Sequence, residues 1–353
     1  MKILITGGAG FVGSSICIKL KENYPNYNIV AFDNLKRRGS ELNLPDFQKM
    51  GIQFIHGDIR NIEDIDSIGS FDVLIEASAE PSVMAGLNSD PTYVINNNLY
   101  GSINCFNACL NYKAKLIFLS TSRVYPIDKI EQANFIEEAT RFSFAENQKE
   151  RGITKFGISE ELSLVGARSF YGTTKLSSEL FIQEYSAFYG LQSAITRFGV
   201  IAGPRQMGKT DQGVVTLWMA KHYWKQSLKY IGYGGEGKQV RDILHIDDLI
   251  DLIDFQIHHL EKFNGKIFNA GGGLLSSASL LEMTAICKNI TGNKIKIEAE
   301  MQNRPADLRI FITDNTKIEN EIGWKPKKNI ETVFYDIFTW IKQNEEQLKR
   351  ILK

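Results

Sequence analysis

The stretch Lys2-Ile3-Leu4-Ile5-Thr6-Gly7-Gly8-Ala9-Gly10-Phe11-Val12-Gly13 decides how this chain begins to fold. Residues 2–6 are apolar and run straight into the glycines, so they read as a core strand and not as a leader peptide. Val12–Glu22 then carries a helical pattern, which sets Gly7, Gly10 and Gly13 between a strand and a helix. Gly7 permits the tight turn, Gly10 lets the backbone approach a pyrophosphate, and Gly13 lets helix and strand pack closely. The helix N-terminus at Phe11 and Val12 adds N–H groups and the positive end of a dipole. A glycine-rich turn without any ligand is the bland alternative, and the strand–turn–helix context argues against it.

Working outward, Asn28–Asp33, Gln53–His56, Val73–Glu76, Lys115–Ser120 and Ser193–Phe198 read as further strands. Helical patterns at Val12–Glu22, Tyr93–Asn111 and Gly172–Tyr189 lie between most of them. That alternation predicts an α/β fold, a Rossmann-type doubly wound parallel sheet covered by helices on both faces. After about residue 196 glycine-rich turns and short helices take over, which predicts a smaller C-terminal lobe. The expected division is 1–195 for the dinucleotide-binding part, with 240–270 returning to it, and 196–239 plus 271–353 for the substrate-binding lobe.

Asp33 ends the second strand twenty residues beyond Gly13, with Asn34 beside it, and suits the hydroxyls of an adenosine ribose. It opposes a 2′-phosphate, so NAD is expected over NADP; Arg37 and Arg38 weigh the other way if they cradle a 2′-phosphate, the alternative being solvated loop charges. Asp58, followed by Ile59, is placed to meet an adenine amino group or to cap a helix from Asn61.

Lys plus Arg equal Asp plus Glu at 41 each in 353 residues, so no overall field draws the chain to nucleic acid or to a membrane surface. No segment reaches the length of a membrane span. The four cysteines, Cys17, Cys105, Cys109 and Cys287, lack metal-ligand spacing, and buried free thiols fit a cytoplasmic protein. No metal is expected.

Tyr171 and Lys175 stand four apart in a helical pattern, which puts them on one face, one turn apart. An ammonium near a phenol stabilises the phenolate and prepares it to take a proton as hydride leaves the same carbon. Alone, the pair is equally a surface helix pair. Thr121 changes the weighing: it ends an apolar strand, so its hydroxyl is expected at the carboxyl edge of the sheet, near a reacting oxygen.

With these residues in order, the chain resembles the extended short-chain dehydrogenase/reductases of the nucleotide-sugar epimerase and dehydratase type. The matching pieces are the glycine loop, Asp33, Asp58, Ala77-Ser78-Ala79, Asn98, Thr121, Tyr171 with Lys175, and Arg241. The resemblance implies that Tyr171 is the base, assisted by Lys175 and Thr121, and that Ala77, Ala79 and Asn98 lie near NAD. The family's 4,6-dehydratases follow the threonine with an Asp-Glu pair, where this chain has Ser122 and Arg123. Epimerisation is therefore favoured over dehydration. Segments around Asp33–Gly39, Gly208–Gly213, Gly237–Asp242 and Asp307–Arg309 resemble CDP-tyvelose (CDP-paratose) 2-epimerases. That likeness implies transient oxidation at C2 and re-reduction on the opposite face, and a place in surface-polysaccharide precursor synthesis.

Departures from the pattern border the sugar: Glu76 stands where a histidine is usual, Pro126 replaces a glycine, and residues 127–168 match poorly. Arg241 and Arg309, by resemblance, and Lys209 and Arg304, from charge alone, are candidates for the nucleotide diphosphate. A salt bridge to Asp242 or Asp307 is the alternative for any of these arginines. Two other functions stay open. One is 4-epimerisation of a UDP-hexose, less favoured because the 4-epimerases usually carry an asparagine where this chain has Val200. The other is a redox sensor that binds NAD without chemistry, less favoured because Tyr171, Lys175 and Thr121 are all present. The resemblance also implies a homodimer formed through the helices at Tyr93–Asn111 and Gly172–Tyr189, with a tetramer as the alternative.

Overall fold

The computed structural model describes residues 1–87, 89–208 and 212–352. Its principal strands are β1 (Lys2–Thr6), β2 (Asn28–Asp33), β3 (Gln53–His56), β4 (Val73–Glu76), β5 (Lys115–Thr121), β6 (Ser193–Phe198) and β7 (Ile267–Ala270). They form one seven-stranded sheet in the order β7-β6-β5-β4-β1-β2-β3. β1 pairs in parallel with β2 and β4, β2 with β3, and β4 with β5. The chain reverses its direction of travel across the sheet between β1 and β4, and crevices of this kind open at the carboxyl ends of strands beside such a reversal.

Continuous apolar runs explain why these strands lie inside. Ile3, Leu4 and Ile5 are all fully buried, and successive residues face opposite sides of the sheet, so both faces are covered. On one face Leu4, Val30, Leu74, Leu116 and Phe118 pack with Cys105, Phe106 and Cys109 of helix α2 (Gly101–Tyr112) and Ile182 of helix α3 (Phe170–Tyr189). Helix α1 (Phe11–Asn23) follows β1 and buries Ile16, Cys17 and Leu20. All four cysteines are free and buried.

The helix expected at Tyr93–Asn111 differs in detail. It runs from Thr92 to Tyr112 through a π turn at Asn96–Tyr100. The wider turn sets Asn98 inward, where its side chain bonds both backbone groups of Glu80, a demand that the apolar period does not register.

The described residues form two units: Met1–Thr121 with Phe170–Arg197 and Ile250–Ile267, and Ser122–Ser169 with Phe198–Leu249 and Phe268–Lys353. These boundaries depart from the expected ones in that 122–169, 240–249 and 268–270 belong to the second unit and 196–197 to the first. The reason for the first is visible in the hairpin of Phe135–Glu137 with Phe142–Phe144. Phe142 N donates to Lys238 O, Thr140 Oγ1 to Glu282 Oε1 and Arg141 Nη2 to Ser277 Oγ, all within the second unit. The reason for the second is that strand Val240–His245 pairs in parallel with Val200–Ala202 and Ile310–Phe311 and antiparallel with Ser277–Ser279. Among the described residues, no helix is long and apolar enough to cross a membrane.

Candidate active site

The carboxyl ends of β1, β2, β4 and β5 hold the first group of sequence-predicted residues. Gly7 leaves β1 with φ +62°, and a Cβ there would lie 2.8 Å from Ala77 O, because the chain leaving β4 runs directly over it. A Cβ on Gly13 would lie 2.2 Å from Gly7 O, so α1 stands as close to the loop as backbone allows. Gly10 is different: its Cβ would meet only Gly7 O, at 3.2 Å, which leaves its other side open. α1 begins at Gly10 with no side-chain cap and no acid in its first turn, so the N–H groups and dipole around Phe11 and Val12 remain available to an anion. Gly8, which the sequence reading passed over, is equally constrained, with a Cβ position 2.7 Å from Ala31 Cα and Ile5 O.

Asp33 is tied to this loop. Its Oδ2 accepts from Ala9 N at 3.1 Å and its Oδ1 from Leu35 N at 2.8 Å. Burial raises its pKa above the ordinary carboxylate value, opposed by those backbone donors. Asn34 donates to Asp58 Oδ2 at 2.9 Å, and Arg60 grips Asp58 through Nε at 2.9 Å and Nη2 at 2.6 Å. The Arg60 hydrogen bonds hold Asp58 well below the usual carboxylate range. The helix at Ile62–Asp66 is capped by Asn61 itself, whose side chain accepts from Glu63 N, so the capping alternative for Asp58 is replaced. Ile59 is buried and packs against Gly101.

Thr121 ends β5 and is buried, as the apolar run before it requires. Tyr171 and Lys175 both lie on α3, Tyr171 partly exposed and Lys175 2% exposed. Lys175 Nζ lies 3.1 Å from Glu76 Oε2 and 3.9 Å from the centre of the Phe118 ring. Glu76 also accepts from Ser78 Oγ at 2.7 Å. One turn further along α3, Glu179 is gripped by Arg197 of β6, with Nη2 2.7 Å from Oε2 and Nε 3.0 Å from Oε1, and also accepts from Ser120 Oγ. This buried tie fastens α3 to β5 directly beside Thr121. Asn98 serves as a clamp on the segment that holds Ala77 and Ala79: Glu80 N donates to its Oδ1 at 2.7 Å, and its Nδ2 donates to Glu80 O at 3.0 Å.

The arginines lie in the second unit, and each has partners. Arg241 donates through Nη2 to Asp307 Oδ1 and Leu308 O and through Nη1 to Val240 O, all at 2.7 Å. Arg309 Cζ stands 4.8, 5.6 and 5.7 Å from the ring centres of Phe135, Phe142 and Tyr233, and its Nη2 is 3.8 Å from Glu131 Oε2. Tyr233 is pushed above its ordinary value by burial, with Glu131 and Asp307 adding to the shift. Arg123 donates to Ala306 O at 3.4 Å and lies within the short helical turn Ser122–Val124, which Ser122 opens. Arg304 is half-buried, and its carbonyl accepts from Asp307 N at 3.3 Å. Lys209 lies outside the described residues. His245 is buried at the end of strand Val240–His245, and that burial lowers its pKa. Trp218 is buried and donates to Thr284 Oγ1.

A profile of the NAD dependent epimerase/dehydratase family matches residues 3–271. The chain belongs to this family. It is 30% identical over 349 residues to the CDP-paratose 2-epimerase of Salmonella typhi, covering 96% of this chain and 99% of that protein. The solved UDP-glucose 4-epimerase of Thermotoga maritima, with UDP-glucose, matches at TM-score 0.77 and 26% identity, covering 98% of this chain and 100% of that one. The UDP-glucuronic acid 4-epimerase of Bacillus cereus, in complex with UDP-glucuronic acid and NAD, matches at TM-score 0.78 and 25% identity, covering 97% and 99%. The chain is thus an enzyme of the epimerase/dehydratase family, and NAD is the family's cofactor. The residues at the carboxyl edge are compatible with that cofactor: α1 starts without a side-chain cap, one side of Gly10 is open, and the Asp33 carboxylate is anchored beside the loop.

Proposed function

We propose that this epimerase/dehydratase family member interconverts CDP-paratose and CDP-tyvelose by inverting C2 of the sugar. The observation that carries the reading is the likeness to the Salmonella typhi CDP-paratose 2-epimerase along nearly the whole of both chains. It is supported by Ser122 and Arg123 following Thr121, which leaves no acid pair there to expel water.

NAD, when bound, supplies the hydride acceptor and donor. Tyr171 takes the proton of the sugar C2 hydroxyl and returns it after the planar 2-keto sugar has turned its other face. Thr121, fixed at the end of β5, donates to the same oxygen. Lys175, one turn further along α3, assists Tyr171. Gly7, Gly10, Phe11, Val12, Gly13 and Asp33 hold the cofactor, with Asn34, Asp58, Ile59, Ala77, Ala79 and Asn98 shaping its surroundings. Arg123, Arg241, Arg304 and Arg309 are the cations proposed to face the sugar nucleotide, the last three for its diphosphate. A homodimer is part of this reading, because α3 exposes Leu180, Phe181, Phe188 and Tyr189, a large apolar set for one helix.

Incubation with CDP-paratose, CDP-tyvelose, UDP-glucose and UDP-galactose in D₂O, followed by proton NMR, tests the reading. Interconversion of the CDP sugars with no deuterium at C2 is the expected result. Conversion of the UDP sugars alone would move the chemistry to C4 and sink the proposal.

A further inference from the structure

We propose that Glu76 is a positioning residue that tunes the catalytic base: its carboxylate holds the Lys175 ammonium at the carboxyl end of β4 and offsets the field this lysine casts on Tyr171. The inference rests on the reading of Tyr171 as the base.

Glu76 is the last residue of β4 and is fully buried, and Lys175 is 2% exposed. Neither charge has water to turn to, so each needs a partner inside the protein. Their 3.1 Å contact provides it, and Ser78 Oγ and the face of Phe118 complete the enclosure. Lys175 therefore presents a compensated pair, and not a lone cation, to the phenol one turn before it on α3.

The electrostatic consequence follows from distance. A lone ammonium about 7 Å from a phenol, at an effective dielectric of about 20, lowers the phenol pKa by roughly 1.5–2 units. An opposite charge about 3 Å beyond it cancels most of that and leaves roughly half a unit. The other groups near Lys175 do not restore the field. Cys105 on α2 is a thiol that burial pushes well above its ordinary value, with Glu76 adding to the shift, so it is uncharged. Glu179, four residues further along α3, is answered by Arg197.

The test is a spectroscopic titration of tyrosinate in the purified full chain, which needs no substrate. The chain has 13 tyrosines, so each protein is compared with its own Tyr171→Phe partner to isolate one titration. Glu76→Gln should move the Tyr171 midpoint down by about one pH unit or more. Lys175→Met combined with Glu76→Gln should leave it within about half a unit of the parent. An unmoved midpoint in folded Glu76→Gln overturns the proposal, and so does a midpoint raised by more than about one unit in the double variant. If Glu76→Gln fails to fold, the double variant, uncharged on both sides, decides alone. Because no turnover is involved, failure of the CDP-sugar assay leaves this result unaffected. Retained turnover in Tyr171→Phe would instead remove the base reading on which the proposal rests.

Discussion

Replacing Gly13 and Gly10 by alanine, one at a time, separates packing from ligand approach within a single loop. At Gly13 the added methyl would lie 2.2 Å from Gly7 O and 2.8 Å from Gly8 Cα. An ordinary carbon–oxygen contact is roughly 3.3 Å or more, so α1 must retreat from β1 by about 1 Å. It cannot do so freely, because Ile16, Cys17 and Leu20 on the same helix are fully buried. Overpacking of this kind costs about 1–3 kcal/mol, which at roughly 2–4 °C per kcal/mol lowers the melting temperature by roughly 2–12 °C. At Gly10 the methyl meets only one atom, at 3.2 Å, and the backbone there has φ −69° and ψ 177°, which alanine adopts without strain. The fold should stay within about 1 kcal/mol of the parent. The same methyl stands on the side proposed for the pyrophosphate, where a hydrogen bond to a charged group contributes about 1.5–3 kcal/mol. Losing one weakens NAD by roughly 10–100-fold. Melting curves and calorimetric NAD titration of cofactor-stripped protein measure the two effects. Gly10→Ala melting as low as Gly13→Ala, with unchanged NAD affinity, would refute the reasoning.

Tyr171→Phe should abolish turnover yet retain NAD, since only a proton-transferring hydroxyl is lost; an active variant would move the base elsewhere. Arg197→Ala leaves the buried Glu179 carboxylate without its cation and should cost about 3–5 kcal/mol in denaturant unfolding, whereas Arg197→Met with Glu179→Leu should recover most of that. Equal losses in the two proteins would contradict the account of that tie. Burial lifts Asp242 to about 6, so the folded chain holds this proton more tightly than the unfolded chain does. The stabilisation is complete below about pH 4 and is lost as pH rises through about 6, a change on the order of 3 kcal/mol. Asp242→Asn should flatten that slope, and a wild-type slope in the variant would show that another group titrates there.

Most of the first unit was legible because its signals are local. The apolar runs at 2–6, 28–33, 53–56 and 73–76 needed only alternation with helices to be read as a parallel sheet, and the glycines sit at a junction where a strand meets a helix across a tight turn. Position along a strand then fixed where Asp33 and Thr121 would emerge. The π turn at Asn96–Tyr100 was not legible, because the hydrogen bonds that go with it join Asn98 to Glu80, 18 residues earlier, one donated by each residue. The division into units went astray at 122–169 for a similar reason. Those residues carry no periodic signal of their own, and the bonds that place them reach to Lys238, Ser277 and Glu282.

The charged residues show the same limit most sharply. Each arginine was identifiable as a cation, but its partner was a matter of tertiary structure. Arg241 took Asp307, which the sequence reading had named as an alternative, while Arg309 took the rings of Phe135, Phe142 and Tyr233, which it had not. Glu76 is the instructive case. Its departure from the family pattern was visible as a single residue, but the lysine it faces lies 99 positions away, and nothing in local spacing joins them. How strongly a lysine four residues on acts on a tyrosine depends on whether the rest of the fold leaves the lysine's charge unanswered. In this chain a buried carboxylate answers it. The strength of the proposed base is therefore argued from Tyr171, Lys175 and Glu76 together, and the Glu76→Gln titration measures how much the third residue counts.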